Sequence, residues 1–168
     1  MNALALTPQH RAILARVVDA MLGVQGVLAI GLGGSHARGS ARPDSDLDVV
    51  LLYDSTKSLD IAGLRLIAQQ LDDGDSPVVA GVGEWGPWVD GGAWLVVEGQ
   101  RVDLLYRAED KVAAVLADAH AGRYGSHFEQ QPPFGYFGPT LLGEIAVMQP
   151  LADPLGRLAA LQDLVRPM

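Results

Sequence analysis

The sequence predicts an α/β (α+β) fold in which amphipathic helices are interleaved with short apolar strands. Three observations carry this expectation. Ile13, Leu14, Val17, Val18, Met21 and Leu22 recur at helical spacing. Two short apolar runs, Val27 to Leu32 and Asp46 to Tyr53, are bounded by turn residues. The stretch AWLVVEGQRVDLLYR reads as a hairpin.

Taken in order, Thr7 and Pro8 read as a helix cap and a first-turn proline, and the helix they open ends near Gly23. Gly33 and Gly34 break the first strand, and Ser35 opens a short helix or turn through Arg38 and Gly39. Arg42, Pro43 and Asp44 form a turn into the second strand. Leu59 to Leu71 fits a helix with Ile61, Leu64, Ile67, Ala68 and Leu71 inward. Pro77 to Val82 reads as a weaker strand and EWGPWVDGG as a loop. With Gly99-Gln100 as the hairpin turn, Glu98 pairs with Arg101 and Val96 lies opposite Asp103. Glu109 to Ala121 is helical. Beyond Gly122 the chain turns rich in Gly, Pro and aromatics as far as Gly138, and helical patterns follow near 140–148 and 155–165. The expected division is therefore a core over 1–121 and a short helical C-terminal extension over 122–168.

Composition narrows the function. Apolar residues make up 49% of the 168 residues, so a packed core is expected. No apolar run reaches the roughly 18 residues of a spanning helix, and no basic region precedes an apolar block, so no membrane partner and no secretion signal are expected. Absence of cysteine excludes disulfides and thiolate metal sites and favours a cytoplasmic setting. A net charge of −8 argues against an extended nucleic-acid partner.

The chemistry sits at one end of the second strand. Residues two apart share a strand face, so Asp46 and Asp48 point the same way as Val50 and Leu52. Two carboxylates about 7 Å apart repel each other, and partial burial raises the cost. A divalent cation offsets both, and Mg²⁺ takes oxygen ligands, usually one or two carboxylates plus substrate phosphates. Asp103 is a third acid inside an apolar strand. If that strand lies beside Asp46 to Tyr53, three carboxylates converge on a patch able to hold two metal ions, and Asp103 can accept a proton from an attacking hydroxyl. Ahead of this strand, Gly34 lets the backbone approach an anion, the Ser35 amide and hydroxyl can bind phosphate oxygens, and Arg38 adds charge. A Walker loop is excluded because this stretch contains no lysine, and a dinucleotide fingerprint fails because His36 stands where its third glycine belongs.

GGSHARGSARPDSDLDVVLLY resembles the signature of the DNA polymerase β-like nucleotidyltransferase superfamily: Gly34-Ser35, a spacer of ten residues, then Asp46-Leu47-Asp48. Asp103 matches the later strand aspartate of that signature. The spacer is also similar to that of the minimal nucleotidyltransferases, among them adenylylating antitoxins, and WGPWVDGGAWLVVEGQRVDLLYR resembles longer bacterial nucleotidyltransferase-domain proteins. The resemblance covers roughly residues 27–106. It implies a mixed sheet backed by helices, Mg²⁺ (two ions, with Mn²⁺ as a substitute), and a nucleoside triphosphate donor, ATP being expected. It implies transfer of AMP to a small-molecule or protein hydroxyl with loss of pyrophosphate. Asp46, Asp48 and Asp103 are then the catalytic and metal residues, and Gly34, Ser35 and Arg38 the nucleotide-binding ones. Longer relatives carry a C-terminal helical domain that shapes the acceptor site, of which 122–168 reads as the beginning. Two alternatives stay open: an antitoxin-like protein adenylyltransferase, and a nucleotide-binding module without turnover.

Other residues have plainer readings. Ser35 caps the short helix as well as binding phosphate, and His36 is a solvated turn residue. Arg38 either pairs with a strand acid or meets substrate. Glu84, Trp85 and Trp88 either line a stacking pocket or pack a loop. His120 and His127 lie on the surface. Glu144 faces solvent, or an oligomer contact.

Overall fold

Thr7 Oγ1 accepts the His10 amide at 3.1 Å, and Pro8 stands in the first turn, where its missing N–H costs nothing. Helix α1 (Pro8–Met21) therefore begins where the cap is expected and buries Ile13, Leu14, Val17 and Met21. The computed structural model describes residues 6–74, 76–128 and 136–166. Residues 129–135, inside the expected Gly, Pro and aromatic stretch, lie outside the described residues, as do the last two of the expected C-terminal extension.

Strand β1 (Val27–Leu32) leads into the short helix α2 (Gly34–Arg38), and β2 (Leu47–Tyr53) follows, one residue later than its acidic start suggests. Helix α3 (Ile61–Leu71) is capped by Asp60, whose Oδ1 accepts the Gly63 amide at 3.0 Å. The weak third strand contracts to β3 (Val78–Val79), and β4 (Gly92–Val97) and β5 (Gln100–Ala108) form the hairpin. Helix α4 (Glu109–His120) is followed by the small ribbon β6 (Ser126–His127) and β7 (Tyr136–Phe137). Then come α5 (Gly138–Val147), β8 (Gln149–Ala152) and α6 (Arg157–Val165). The chain beyond residue 122 thus returns to the main sheet through β8, a strand not expected from the sequence. Pro150 argues against a strand in a central position but is admissible on an edge, which is where β8 lies. Among the described residues no helix is long and apolar enough to cross a membrane.

The six-stranded sheet runs in the order β3-β4-β5-β2-β1-β8. It is mixed: β2 and β5 are parallel and the other neighbours antiparallel. One face, from Leu32, Leu47, Val49, Leu51, Leu95, Val102 and Leu104, packs on α1 and α3 as the larger core. The other face is only partly roofed. Helices α4, α5 and α6 cover Ala29, Val50 and Leu52, and this second core stops short of Asp48 and Asp103.

The hairpin differs from expectation in register. Val96 lies opposite Arg101, Trp94 opposite Asp103, and the turn is Glu98-Gly99 rather than Gly99-Gln100. Both turn residues have positive φ, 52° and 76°, as a type I′ turn requires. The reason lies outside the hairpin. The Asp73 carboxylate accepts the Glu98 amide at 2.9 Å and the Gly99 amide at 2.7 Å, and Gln9 Nε2 donates to the Glu98 carbonyl at 3.1 Å. These contacts hold a glutamate in a backbone region it rarely adopts.

Candidate active site

Strand pairing sets the arrangement of the acids. Asp48 and Asp103 are register partners on the parallel pair β2 and β5, so they stand side by side on one face. Asp46 precedes β2 by one residue, and Arg101 Nε approaches its Oδ1 to 2.5 Å. That oxygen is buried without a properly aligned hydrogen bond. Arg101 is therefore the ion-pair partner of Asp46.

Both strand carboxyls hold their protons more tightly than an ordinary aspartate, with pKa values raised. For Asp48, burial is the main cause and the nearby Asp46 charge adds to it, while Arg38 and His36 oppose the shift. For Asp103, burial again leads, followed by the charges of Asp46 and Asp48, with Arg101 opposing. The Asp46 charge acts on both strand acids and the Asp48 charge on Asp103, which places the three in one electrostatic neighbourhood. Among the described residues, no three His, Cys, Asp or Glu side chains form a ready metal cage. The donors on offer are carboxylate oxygens on an open face.

The glycine–serine turn closes one side. Gly33 N–H donates to the Asp48 carbonyl at 2.8 Å, bringing the start of α2 against β2. Gly34 has φ +57°, and a β-carbon there would overlap the Asp48 carboxylate. Ser35 is the second residue of α2, whose N-cap is Gly33 with no side-chain cap, so Ser35 does not cap the helix as expected. Arg38 is exposed and makes no ion pair among the described residues.

Two hollows meet at Gly34, Arg38 and Asp48. One, about 410 Å³, is lined by Ser35, Arg42, Asp46 and Arg101. The other, about 530 Å³, is walled by Val50, Leu105 and the α5 residues Thr140, Gly143, Glu144 and Val147. The expected residues Gly34, Ser35, Arg38, Asp46 and Asp48 thus line adjoining hollows, with Asp103 on the neighbouring strand.

Several residues have roles that sequence reasoning missed. Glu144 does not simply face solvent. It accepts two hydrogen bonds from Arg107, Nε to Oε1 at 3.0 Å and Nη2 to Oε2 at 2.9 Å. Arg107 is only 7% exposed, and it also donates to the Tyr106 carbonyl at 3.1 Å. An arginine on the same strand face as Asp103 was the available signal, but its partner lies 37 residues away. His36 is not solvated either. It is 5% exposed and meets the buried His10 edge-on, ring centroids 5.2 Å apart. Burial, then the His10 ring, lowers its basicity; a Ser45 backbone contact and Asp48 oppose this. Asp90, in the EWGPWVDGG loop, is 1% exposed and bound by Tyr53 and Lys111. Trp88 stacks on His127, so at least this part of the loop is packed.

The comparisons bear on this geometry. The family model described as the nucleotidyltransferase domain matches residues 13–113, a span from α1 into α4 that includes all six expected site residues. No curated protein matches the chain.

Proposed function

The chain belongs to the nucleotidyltransferase domain family, and on that premise we propose that it transfers AMP from ATP to a hydroxyl acceptor with release of pyrophosphate. The observation that carries this reading is the pairing of Asp48 with Asp103 beside the Gly34 turn. A chain without cysteine, and with no helix among the described residues long and apolar enough to cross a membrane, suits the cytoplasmic setting in which ATP and Mg²⁺ are abundant.

The residues fit Mg²⁺. All donors are hard oxygens, and Asp48 and Asp103 stand side by side in a partly desolvated place where burial and neighbouring acid charge raise both pKa values. An open acidic face rather than a closed cage suits an ion that keeps waters and substrate phosphates among its ligands. Asp46 and Asp48 would hold the metal and Asp103 complete the set. When bound, it neutralises the triphosphate and makes an acceptor hydroxyl more acidic.

The chain's own groups supply the rest. The Ser35 hydroxyl and the unpaired amides at the start of α2 donate to the β- and γ-phosphate oxygens. Arg38 balances the charge left on the departing pyrophosphate. A carboxylate oxygen of Asp103 takes the acceptor's hydroxyl proton. The acceptor oxygen bonds to the α-phosphorus as the bond from that phosphorus to the β-phosphate bridging oxygen breaks. Positioning and charge neutralisation account for most of the rate.

The test is transfer from α-labelled ATP with Mg²⁺, using cell lysate as the acceptor pool. Wild type labels an acceptor and Asp48→Ala does not. Equal labelling by both removes the proposal.

A further inference from the structure

Resting on the transfer chemistry above, we infer that Trp94 receives the acceptor, and that this acceptor carries a flat ring beside its reacting hydroxyl. On the open face the register forms one row: Asp48 opposite Asp103, Asp103 opposite Trp94, and Trp94 opposite Val78. Register partners share a face, so Trp94 is the next side chain beyond Asp103.

The direction of attack selects this side. In-line displacement places the attacking and leaving oxygens on opposite sides of the phosphorus. Gly34, Ser35 and Arg38, the phosphate-facing groups, follow β1 and lie on the β1 side of Asp48. The attacking hydroxyl therefore arrives from the side of β5 and β4. Adjacent strands lie roughly 5 Å apart, so a ring resting on Trp94 brings an attached hydroxyl within reach of Asp103.

Trp94 is built as a platform. It is 49% exposed. Its ring stacks on Trp85 with centroids 4.7 Å apart and planes 24° apart. Trp85 gains its place because residue 92 is glycine: a β-carbon there would lie 2.8 Å from Trp85 ring atoms. Val78 and Val96, also exposed, extend an apolar floor beside the indole. A tryptophan stacked on another tryptophan costs little entropy to hold and favours flat partners over flexible chains. A nucleobase, a phenol and the apolar face of a sugar ring share that stacking chemistry.

The experiment is ligand-observed NMR on the full chain, preloaded with Mg²⁺ and a non-hydrolysable ATP analogue so that the donor site is filled. The probes are adenosine, tyramine and methyl glucoside, with sorbitol as the ring-free control. At least one ring compound binds, and its class identifies the source of the ring. Trp94→Ala weakens it about tenfold, as for one stacked ring, Trp94→Phe retains most of the binding, and sorbitol does not bind. The inference is overturned if no ring compound binds wild type, if Trp94→Ala binds it equally well, or if sorbitol matches it. Failure of the transfer chemistry is read separately, as Asp48→Ala labelling the lysate acceptor pool from α-labelled ATP as strongly as wild type. Ring binding indifferent to residue 94, in a chain whose labelling of that pool requires Asp48, removes the acceptor platform alone.

Discussion

Gly34 and Asp48 are in such close apposition that residue 34 has no room for a side chain: its φ is +57°, and an added β-carbon would overlap the carboxylate and lie 3.0 Å from the Asp48 β-carbon. The glycine of the turn thus sets where the strand acid points. Gly34→Ala forces an L-residue into the left-handed region, at about 1–2 kcal/mol, and displaces the Asp48 side chain as well. Thermal unfolding is expected to shift down modestly while labelled transfer falls far more. A variant that loses stability but keeps full transfer contradicts the orienting role.

Asp48 and Asp103 stand side by side, and each feels the charge of neighbouring acids. Their pKa values are raised in the folded state by burial and then by neighbouring acids. The folded protein therefore holds these protons more tightly than the unfolded chain. Between the ordinary carboxylate value and the raised one, rising pH removes stability. Asp48→Asn and Asp103→Asn are each expected to raise the melting temperature at pH 7 without Mg²⁺, and to lower transfer by roughly 10² or more. Melting curves at pH 4.5 and pH 7 check the sign, because the gain from Asn shrinks at the lower pH.

Arg107 and Glu144 join β5 to α5 by a two-pronged ion pair whose arginine is buried. Glu144→Ala leaves that guanidinium without a counter-charge, and a loss of about 3–5 kcal/mol is expected. The double change Arg107→Leu with Glu144→Leu is expected to recover most of it, since burying two apolar groups avoids the desolvation of both charges. Denaturant unfolding of the single and double variants gives the coupling directly.

His36 titrates in the opposite sense to the strand acids. Its basicity is lowered in the folded state, first by burial. The unfolded chain then binds the extra proton more readily, so stability is full above the ordinary imidazole value and declines as pH falls through it towards the lowered value. His36→Leu is expected to flatten the stability profile between about pH 5 and 7. An unchanged slope in that range assigns it to other groups.

Asp73 secures the hairpin turn through the Glu98 and Gly99 amides, which hold its pKa below the ordinary value. Asp73→Ala is expected to destabilise the chain at neutral pH, with the difference from wild type narrowing as acid protonates Asp73 in the wild type. Amide exchange at Glu98 and Gly99, accelerated in the variant, locates the effect.

Much of the candidate site was legible because its signals are local. Gly34-Ser35, the spacer and Asp46-Leu47-Asp48 occupy fifteen consecutive residues. Strand alternation places Asp46 and Asp48 on one face without knowledge of any neighbour. Helices α1 and α3 were both readable from apolar spacing, and α1 also from its Thr7 cap, whereas the Asp60 cap that starts α3 at Ile61 was not read.

What the amino-acid order determined alone was therefore most of the elements up to α4, their faces and the acidic character of one strand end, since periodicity and capping act over a few residues. Tertiary structure decided which elements meet. It put Asp103 beside Asp48 by a parallel pairing across 55 residues of chain, set the hairpin register through Asp73, and paired Glu144 with Arg107. It also buried His36 against His10, and moved Trp94 into the row of acids. Contacts between distant segments depend on how whole faces pack and on which buried polar groups must find partners. Neither is written in the spacing of any one segment.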